Sequence, residues 1–218
     1  LGEVSTPEPF HKLVNQGLIL GEDSQKMSKS RGNVVNPDDV LKEYGADAFR
    51  LYEMFMGPLE MVKPWSTKGV EGVYRFLGRV WRIFISEESI THMEQNLTLD
   101  ITQADNLLGE LNLSPNVQDV VPTPEQLKAI HRTIKKVTED LDGLRFNTAI
   151  SALMVFINEA ITWEVKPASI LLDFLKLLQP LAPHISEELA EKLLKLMKDV
   201  PASETIAYFK WPQFDEKH

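Results

Sequence analysis

The chain has no cysteine among its 218 residues. That excludes a disulfide framework, a thiolate metal site and a cysteine nucleophile, and it leaves the compartment open. No apolar run approaches the ~20 residues a membrane-spanning helix needs, so no membrane partner is expected. No basic-then-apolar signal segment opens the chain. The first residue is Leu1 rather than methionine, which points to a piece of something longer. Internal repeats and low-complexity runs are also lacking. One stretch lacks bases: between Ser86 and Pro122 there are seven acids (Glu87, Glu88, Glu94, Asp100, Asp105, Glu110 and Asp119) and neither lysine nor arginine. The whole chain carries net charge −9, from 23 bases and 32 acids, so the remainder holds 25 acids against 23 bases. An acidic total argues against a general nucleic-acid binder. Its confinement to one segment leaves the rest free to carry a local basic face.

What is present suits a folded domain. Hydrophobic residues make up 43% of the chain, enough for a core, and the 25% of charged residues is ordinary for a globular protein. The length allows one or two domains. Leu18-Ile19-Leu20 predicts a short strand, followed by a polar loop from Gly21 to Asn33. Asn36-Pro37-Asp38-Asp39 reads as a helix start, with Asn36 as cap, and Gly45 as its end. Asp47 is expected to cap the next helix, which carries Phe49, Leu51, Tyr52, Met54 and Phe55. Over 66–85, Val70, Val73, Leu77, Val80, Trp81 and Phe84 fall on one helical face. Arg75, Arg79 and Arg82 form a cationic stripe beside it.

Residues 86–122 predict an irregular acidic insertion, with one helical turn near Asn106–Leu111. Thr123-Pro124-Glu125-Gln126 has the form of a capping box, and Leu127, Ile130, Ile134, Val137 and Leu141 repeat behind it at three and four. Gly143 stops that helix. A second start at Asn147 leads into a segment apolar on most sides, which places it centrally. Further helices are expected over Ala168–Leu178 and Ile185–Met197. The expected fold is mainly α: a bundle of four or five helices, preceded by a small mixed α/β segment.

The stretch with chemistry in it is Lys26-Met27-Ser28-Lys29-Ser30, followed by Arg31, Gly32 and Asn33. Three cations fall within six residues on a loop of small residues. Lysine is a compact, mobile charge with three donors, suited to following a phosphate that moves during reaction. Serine and glycine let the backbone approach an anion. Such a loop fits stabilisation of charge developing on a leaving phosphate. The plain alternative is a solvated surface loop, and short motifs alone carry false positives.

The letters themselves narrow the choice. KMSKS is the signature loop of class I aminoacyl-tRNA synthetases. "SQKMSKSRGNVVNPDDVLKEYGADAFRLYEMFMGPLE" followed by "GVEGVYRFLGRVWR" resembles the bacterial and organellar type of leucyl-tRNA synthetase. "HRTIKKVTEDLDGLRFNTAISALMVFINE" and "LLQPLAPHISEEL" are similar to the helical anticodon-binding domain of the same family. "FKWPQFDE" resembles the point where that domain gives way to a small C-terminal one. The resemblance runs from about Pro9 to Trp211 and rests on several blocks in one order. Valyl, isoleucyl and methionyl enzymes share the loop and the helical domain, and the GVEGVYRFLGRVWR block favours leucine. A non-catalytic tRNA-binding module or split subunit is the alternative of a different class.

The resemblance implies a division at 65. Residues 1–65 would be the end of a catalytic domain, with the loop and a stem-contact region. Residues 66–212 would be the tRNA-binding helical domain, and 213–218 a tail. It implies a loop that closes over ATP while leucine becomes leucyl-adenylate. Lys29 is then the ATP ligand that stabilises departing pyrophosphate, Lys26 assists, Met27 packs and orients the loop, and Ser28 and Ser30 add hydrogen bonds. Magnesium would arrive with the ATP, and no protein-bound metal is expected. The partners implied are tRNA(Leu), ATP, leucine and the remainder of a synthetase chain, with a monomeric, cytoplasmic or organellar enzyme as the setting. The family's HIGH motif is absent: none of His11, His92, His131, His184 and His218 sits in such a pattern. Ala190 stands where the family often has tryptophan, which bears on local packing.

Two basic faces are candidates for phosphate contact: Arg75, Arg79 and Arg82, and then Lys128, Arg132, Lys135 and Lys136. Contacts of this kind position RNA without reading its sequence and weaken with salt. Either face could equally be plain solvated helix surface. Packing, rather than base stacking, is the expected fate of most of Trp65, Trp81, Trp163 and Trp211. His184 is expected to serve as a cap or hydrogen-bonding residue.

Overall fold

A short parallel pairing brackets the cationic loop. Ile19–Leu20 (β1) pairs with Lys63–Pro64 (β2), Ile19 opposite Lys63 and Leu20 opposite Pro64. The computed structural model describes residues 2–8, 10–96, 101–197, 205–215 and 217. Between the two strands lie a 3₁₀ turn at Lys29–Arg31, helix α1 (Pro37–Tyr44) and helix α2 (Ala46–Phe55). Helix α1 starts as its sequence requires: Asn36 Oδ1 accepts from the Asp38 N–H at 3.2 Å, with Pro37 in the first turn. Loop, α1 and α2 are thus one excursion leaving β1 and returning at β2.

Helix α3 (Thr67–Phe84) follows, capped by Ser66, whose hydroxyl accepts from the Gly69 N–H. Its predicted stripe is buried at Val70, Val73, Leu77, Val80 and Phe84, while Trp81 is half-buried at the core's edge. Helices α2 and α3 meet closely at Gly69, where a Cβ would lie 2.4 Å from the Tyr52 ring. The Tyr52 hydroxyl accepts from the Ser66 N–H at 2.8 Å, and its ring meets Trp65 edge-on at 4.9 Å.

The acidic segment corrects an expectation. It holds two helices, α4 (Glu87–Asn96) and α5 (Ile101–Glu110), where an irregular insertion with a single turn was predicted. Helix α4 shows almost no apolar stripe, and only Ser89 in it is buried, so hydrophobic periodicity could not reveal it. Ile90, Met93 and Leu108 touch the edge of the core, and local and neck contacts add to that hold. Ser86 Oγ accepts from the Ser89 N–H, and Glu87 and Glu88 occupy the first turn, where the helix dipole favours acids. At the neck, the Ser86 N–H donates to Asn112 O and the Ser114 N–H to Phe84 O, so the segment leaves and rejoins the fold at one place. The Lys192 ammonium donates to Leu108 O at 2.6 Å from the neighbouring bundle.

Val117–Gln118 (β3) then pairs in parallel with Lys166–Pro167 (β4). The long helix α6 (Pro124–Asp142) opens on the full capping box, Thr123 and Gln126 each accepting the other's backbone N–H, and it ends at Gly143. Helix α7 (Phe146–Ala160) is the central one: Ala149, Ile150, Leu153, Phe156, Ile157 and Ala160 are fully buried. It packs on α2, α3 and α6. Helices α8 (Ala168–Leu178) and α9 (Pro183–Leu196) complete the bundle, followed by a 3₁₀ turn at Ile206–Tyr208. Phe156 stacks on Phe174 of α8 at 5.2 Å. Each such buried side chain contributes about 1.5–3 kcal/mol. Ala190 of α9 is buried, so the small residue packs inside.

One hydrophobic core runs from Val40 of α1 to Ile206, so the loop-bearing segment and the bundle share an interior. The fold is mainly α with a small mixed segment at its amino end. No helix among the described residues is long and apolar enough to cross a membrane.

A pinned cationic loop and two basic helix faces

The loop from Gly21 to Asn33 is held by its own side chains. Turns close its start: the Gly21 N–H donates to Gln25 O at 2.8 Å and the Ser24 N–H to Gly21 O at 2.9 Å. Its end turns in the 3₁₀ segment, where the Arg31 N–H donates to Ser28 O and the Gly32 N–H to Lys29 O. Asn33 joins the two halves. Its Oδ1 accepts from the Ser28 N–H at 2.9 Å. Its Nδ2 donates to both oxygens of Asp23 at 3.1 Å, and more weakly to Lys26 O at 3.4 Å. Asp23 also accepts from the Gln25 N–H, and these bonds hold its carboxyl below the ordinary aspartate range. Next to it, Glu22 accepts from both the N–H and the hydroxyl of Thr67, at 3.0 and 2.8 Å. Those bonds lower its pKa in the same way. The loop is thereby tied to the first turn of α3.

This frame sorts the side chains of the motif. Met27 turns inward and packs against the core. Beside it lies an apolar cavity of about 180 Å³ shared with Ile19, Val35, Pro37, Phe49 and Trp65. Glu53 on its rim is half-buried, and burial raises its carboxyl above the ordinary range. Lys26, Lys29 and Ser30 are exposed, and Ser28 is half-buried with its hydroxyl 3.2 Å from that of Ser30. The ammonium groups of Lys26 and Lys29 form no hydrogen bond or ion pair with any described residue. The Arg31 guanidinium donates weakly to Gln25 Oε1, at 3.4 Å. Two ammonium groups are therefore presented to solvent from a backbone that is fixed. The larger cleft near the loop, about 470 Å³ over α1 and α3, is lined by Glu22, Asp23, Asp39 and Glu43. Four carboxylates make it unsuited to polyphosphate.

The two basic faces differ. On α3, Arg75 lies 3.8 Å from Glu71, a loose and exposed pair, and Arg82 has no partner among the described residues. Arg79 is half-buried, and its Nε and Trp81 Nε1 find no hydrogen-bond partner there. On α6 the cations are engaged. Arg132 pairs with Glu159 at 2.7 Å, and Lys136 pairs with the buried Asp140 at 2.8 Å. Lys135 sits 5.3 Å over the ring of Phe214. Lys128 is exposed. The tail lies along this helix, the Trp211 indole donating to Thr138 Oγ1 and the Asp215 N–H to His131 Nδ1. The four tryptophans all pack against the core, as expected.

Family models match two parts of the chain. One, tRNA synthetases class I (I, L, M and V), covers residues 3–61, and the other, the anticodon-binding domain of tRNA ligase, covers 125–218. Leucine–tRNA ligases from the Ames and Paris strains of Leptospira biflexa serovar Patoc are each 51% identical to the chain over all 218 residues. The chain is thus similar over its whole length to leucine–tRNA ligases, and two of its parts match class I synthetase and anticodon-binding models. It spans 22% of the length of those relatives. A solved structure, the agnB2 LeuRS of Agrobacterium radiobacter K84 in a ternary complex with tRNA and LeuAMS, matches with a TM-score of 0.69 at 29% identity. It covers 99% of this chain and 26% of that one.

The loop lies in the class I synthetase match and α6 to α9 in the anticodon-binding match, with α3 between them. The geometry adds residues that sequence reasoning missed. Asn33, Asp23 and Glu22 hold the loop, and their signal was weak, since Asx residues near a turn are common. Asp47 was expected to cap its own helix. Instead it sits in the first turn of α2, is largely buried, and caps α9: it accepts from the Ile185 N–H at 2.7 Å and the His184 N–H at 3.3 Å, and bonds His184 Nδ1 at 2.9 Å. The cap spans 137 positions, so no local pattern could show it. Arg50, one turn on, donates to Pro180 O at 2.9 Å.

Proposed function

We propose that the chain is part of a leucine–tRNA ligase that activates leucine with ATP and transfers it to tRNA(Leu). In this account the part supplies the loop that closes over ATP and a helical bundle that grips tRNA. The observation that carries it is the pair of exposed ammonium groups, Lys26 and Lys29, without a partner among the described residues, on a loop whose backbone is held from within. When the leucine carboxylate attacks the α-phosphorus, the bond to the bridging oxygen breaks and negative charge builds on the departing pyrophosphate. Donors already in place stabilise that charge without reorganising during the step. Lys29 meets the pyrophosphate, Lys26 assists, and Ser28 and Ser30 offer hydroxyl donors to the phosphate oxygens. Met27 acts as the inward anchor from which the cations are presented. Magnesium comes with the nucleotide. The functional division falls near residue 65, across a shared core, with the acidic helices 86–122 inserted in the bundle and 213–218 as a tail. On α3, Arg75, Arg79 and Arg82 are the phosphate-contacting face. Arg132, Lys135 and Lys136 of α6 are a secondary one, already partly spent on partners within the fold. The enzyme is monomeric and acts in the cytoplasm or an organelle.

The HIGH motif and the leucine pocket belong to other parts of such an enzyme. The experiment is leucine-dependent ATP–pyrophosphate exchange by the intact synthetase that contains this chain and by the chain alone. The intact enzyme is expected to exchange and the chain alone not to. Exchange by the chain alone, or none with leucine by the intact enzyme, contradicts the proposal.

A further inference from the structure

We infer that Asn33 is a positioning residue of the loop: its amide fixes the backbone on both sides of Met27 and, through Asp23 and Glu22, ties that backbone to the first turn of α3. The inference rests on the function proposed above and names what aims its cations.

The geometry admits one orientation of the amide. Oδ1 faces an N–H, that of Ser28, while Nδ2 faces acceptors only, the Asp23 carboxylate and Lys26 O. Flipping the group would set NH₂ against N–H and oxygen against carboxylate. The two backbone groups it holds, Lys26 O and Ser28 N–H, flank Met27. Fixing them fixes which way Met27 points, and hence which way Lys26 and Lys29 point. The seat is close-fitting: a Cβ on Gly21 would lie 2.7 Å from Asp23 Oδ1 and 2.9 Å from Asn33 Nδ2. From Asp23 the chain passes to Glu22, whose carboxylate takes two bonds from Thr67 at the start of the helix bearing Arg75, Arg79 and Arg82. The phosphate-facing loop and the cationic helix are therefore linked by two adjacent carboxylates and one amide. Without that link, a loop of small polar residues samples many conformers, and each excursion removes the ammonium groups from the reacting phosphate.

The test uses the intact synthetase with Asn33→Ala, Asn33→Asp and the swapped pair Asp23→Asn with Asn33→Asp. Exchange rates are normalised to titrated active sites, so unfolded enzyme does not count. Asn33→Ala is expected to lower kcat on the order of 10–100-fold, the scale of a misplaced reacting group, and to raise the KM for ATP while leaving that for leucine unchanged. Asn33→Asp keeps the acceptor for Ser28 but opposes Asp23 with a second carboxylate, and is expected to be at least as impaired. The swapped pair restores a donor and an acceptor between the two positions and is expected to recover most of the loss. Limited trypsin cleavage after Lys26, Lys29 and Arg31 reads the same pinning without catalysis: faster in Asn33→Ala, and back toward wild type in the swapped pair. Wild-type kcat, ATP KM and cleavage rate in Asn33→Ala would overturn the inference, as would a swapped pair no better than Asn33→Asp alone. A wild-type enzyme without leucine-dependent exchange counts against the proposed function, and the cleavage rates then decide the inference by themselves.

Discussion

Asp140 shows how one side chain can hold a basic helix in place and make that hold depend on pH. It is fully buried on α6, and burial works against its charge. Hydrogen bonds from Lys136 and Arg145 help to outweigh that cost, and the carboxyl ends below the ordinary aspartate value of about 3.9. A carboxyl depressed in the folded state stabilises it above the unfolded value, and that stabilisation is lost as the pH falls through the folded one. Asp140→Asn is therefore expected to lower stability at neutral pH by about 1–3 kcal/mol, the range for losing hydrogen bonds to a buried charged group. In urea unfolding from pH 7 to pH 3, the gap between variant and wild type should hold down to about pH 4 and narrow below it. A gap of constant size throughout contradicts this account of Asp140.

Among the elements, α3 and α6 carry the contrast that matters for RNA. Both show a cationic stripe in the sequence, and the stripes read alike there. In the fold they differ: on α6 Arg132 pairs with Glu159, Lys136 with Asp140 and Lys135 sits over the Phe214 ring, whereas on α3 Arg75 has a loose contact with Glu71 and Arg82 has no partner among the described residues. An exposed cation without a partner releases counterions when it meets a phosphate, and an engaged one must first give up its contact. For tRNA binding by the intact synthetase, Arg75→Ala and Arg82→Ala are each expected to reduce the slope of log affinity against log salt by about one. Arg132→Ala and Lys136→Ala should change it less. Filter binding across a salt series measures this, and slopes that respond at α6 but not at α3 would contradict it.

For the whole molecule, what was legible in the sequence follows the range of the interactions. Caps and amphipathic stripes are local, so α1, α3, α6, α8 and the central burial of α7 could be read directly. Helices α4 and α5 could not, because their apolar contacts are few (Ile90, Met93 and Leu108) and bonds at their neck and from Lys192 supplement them. The motif cations were legible by type and spacing. Their support was not: Asn33 is ten positions from Asp23, Glu22 is 45 from Thr67, and Asp47 is 138 from Ile185 at the start of α9. Those long ties join the loop, the cationic helix and the bundle around one core. Lys29, exposed and without a partner for its ammonium among the described residues, stands at the centre of that frame. Single-turnover adenylate formation by the intact synthetase carrying Lys29→Ala tests the proposed function most directly. A rate lower by roughly 10²–10³-fold is expected, the loss typical of one preorganised donor, and an unchanged rate would contradict it.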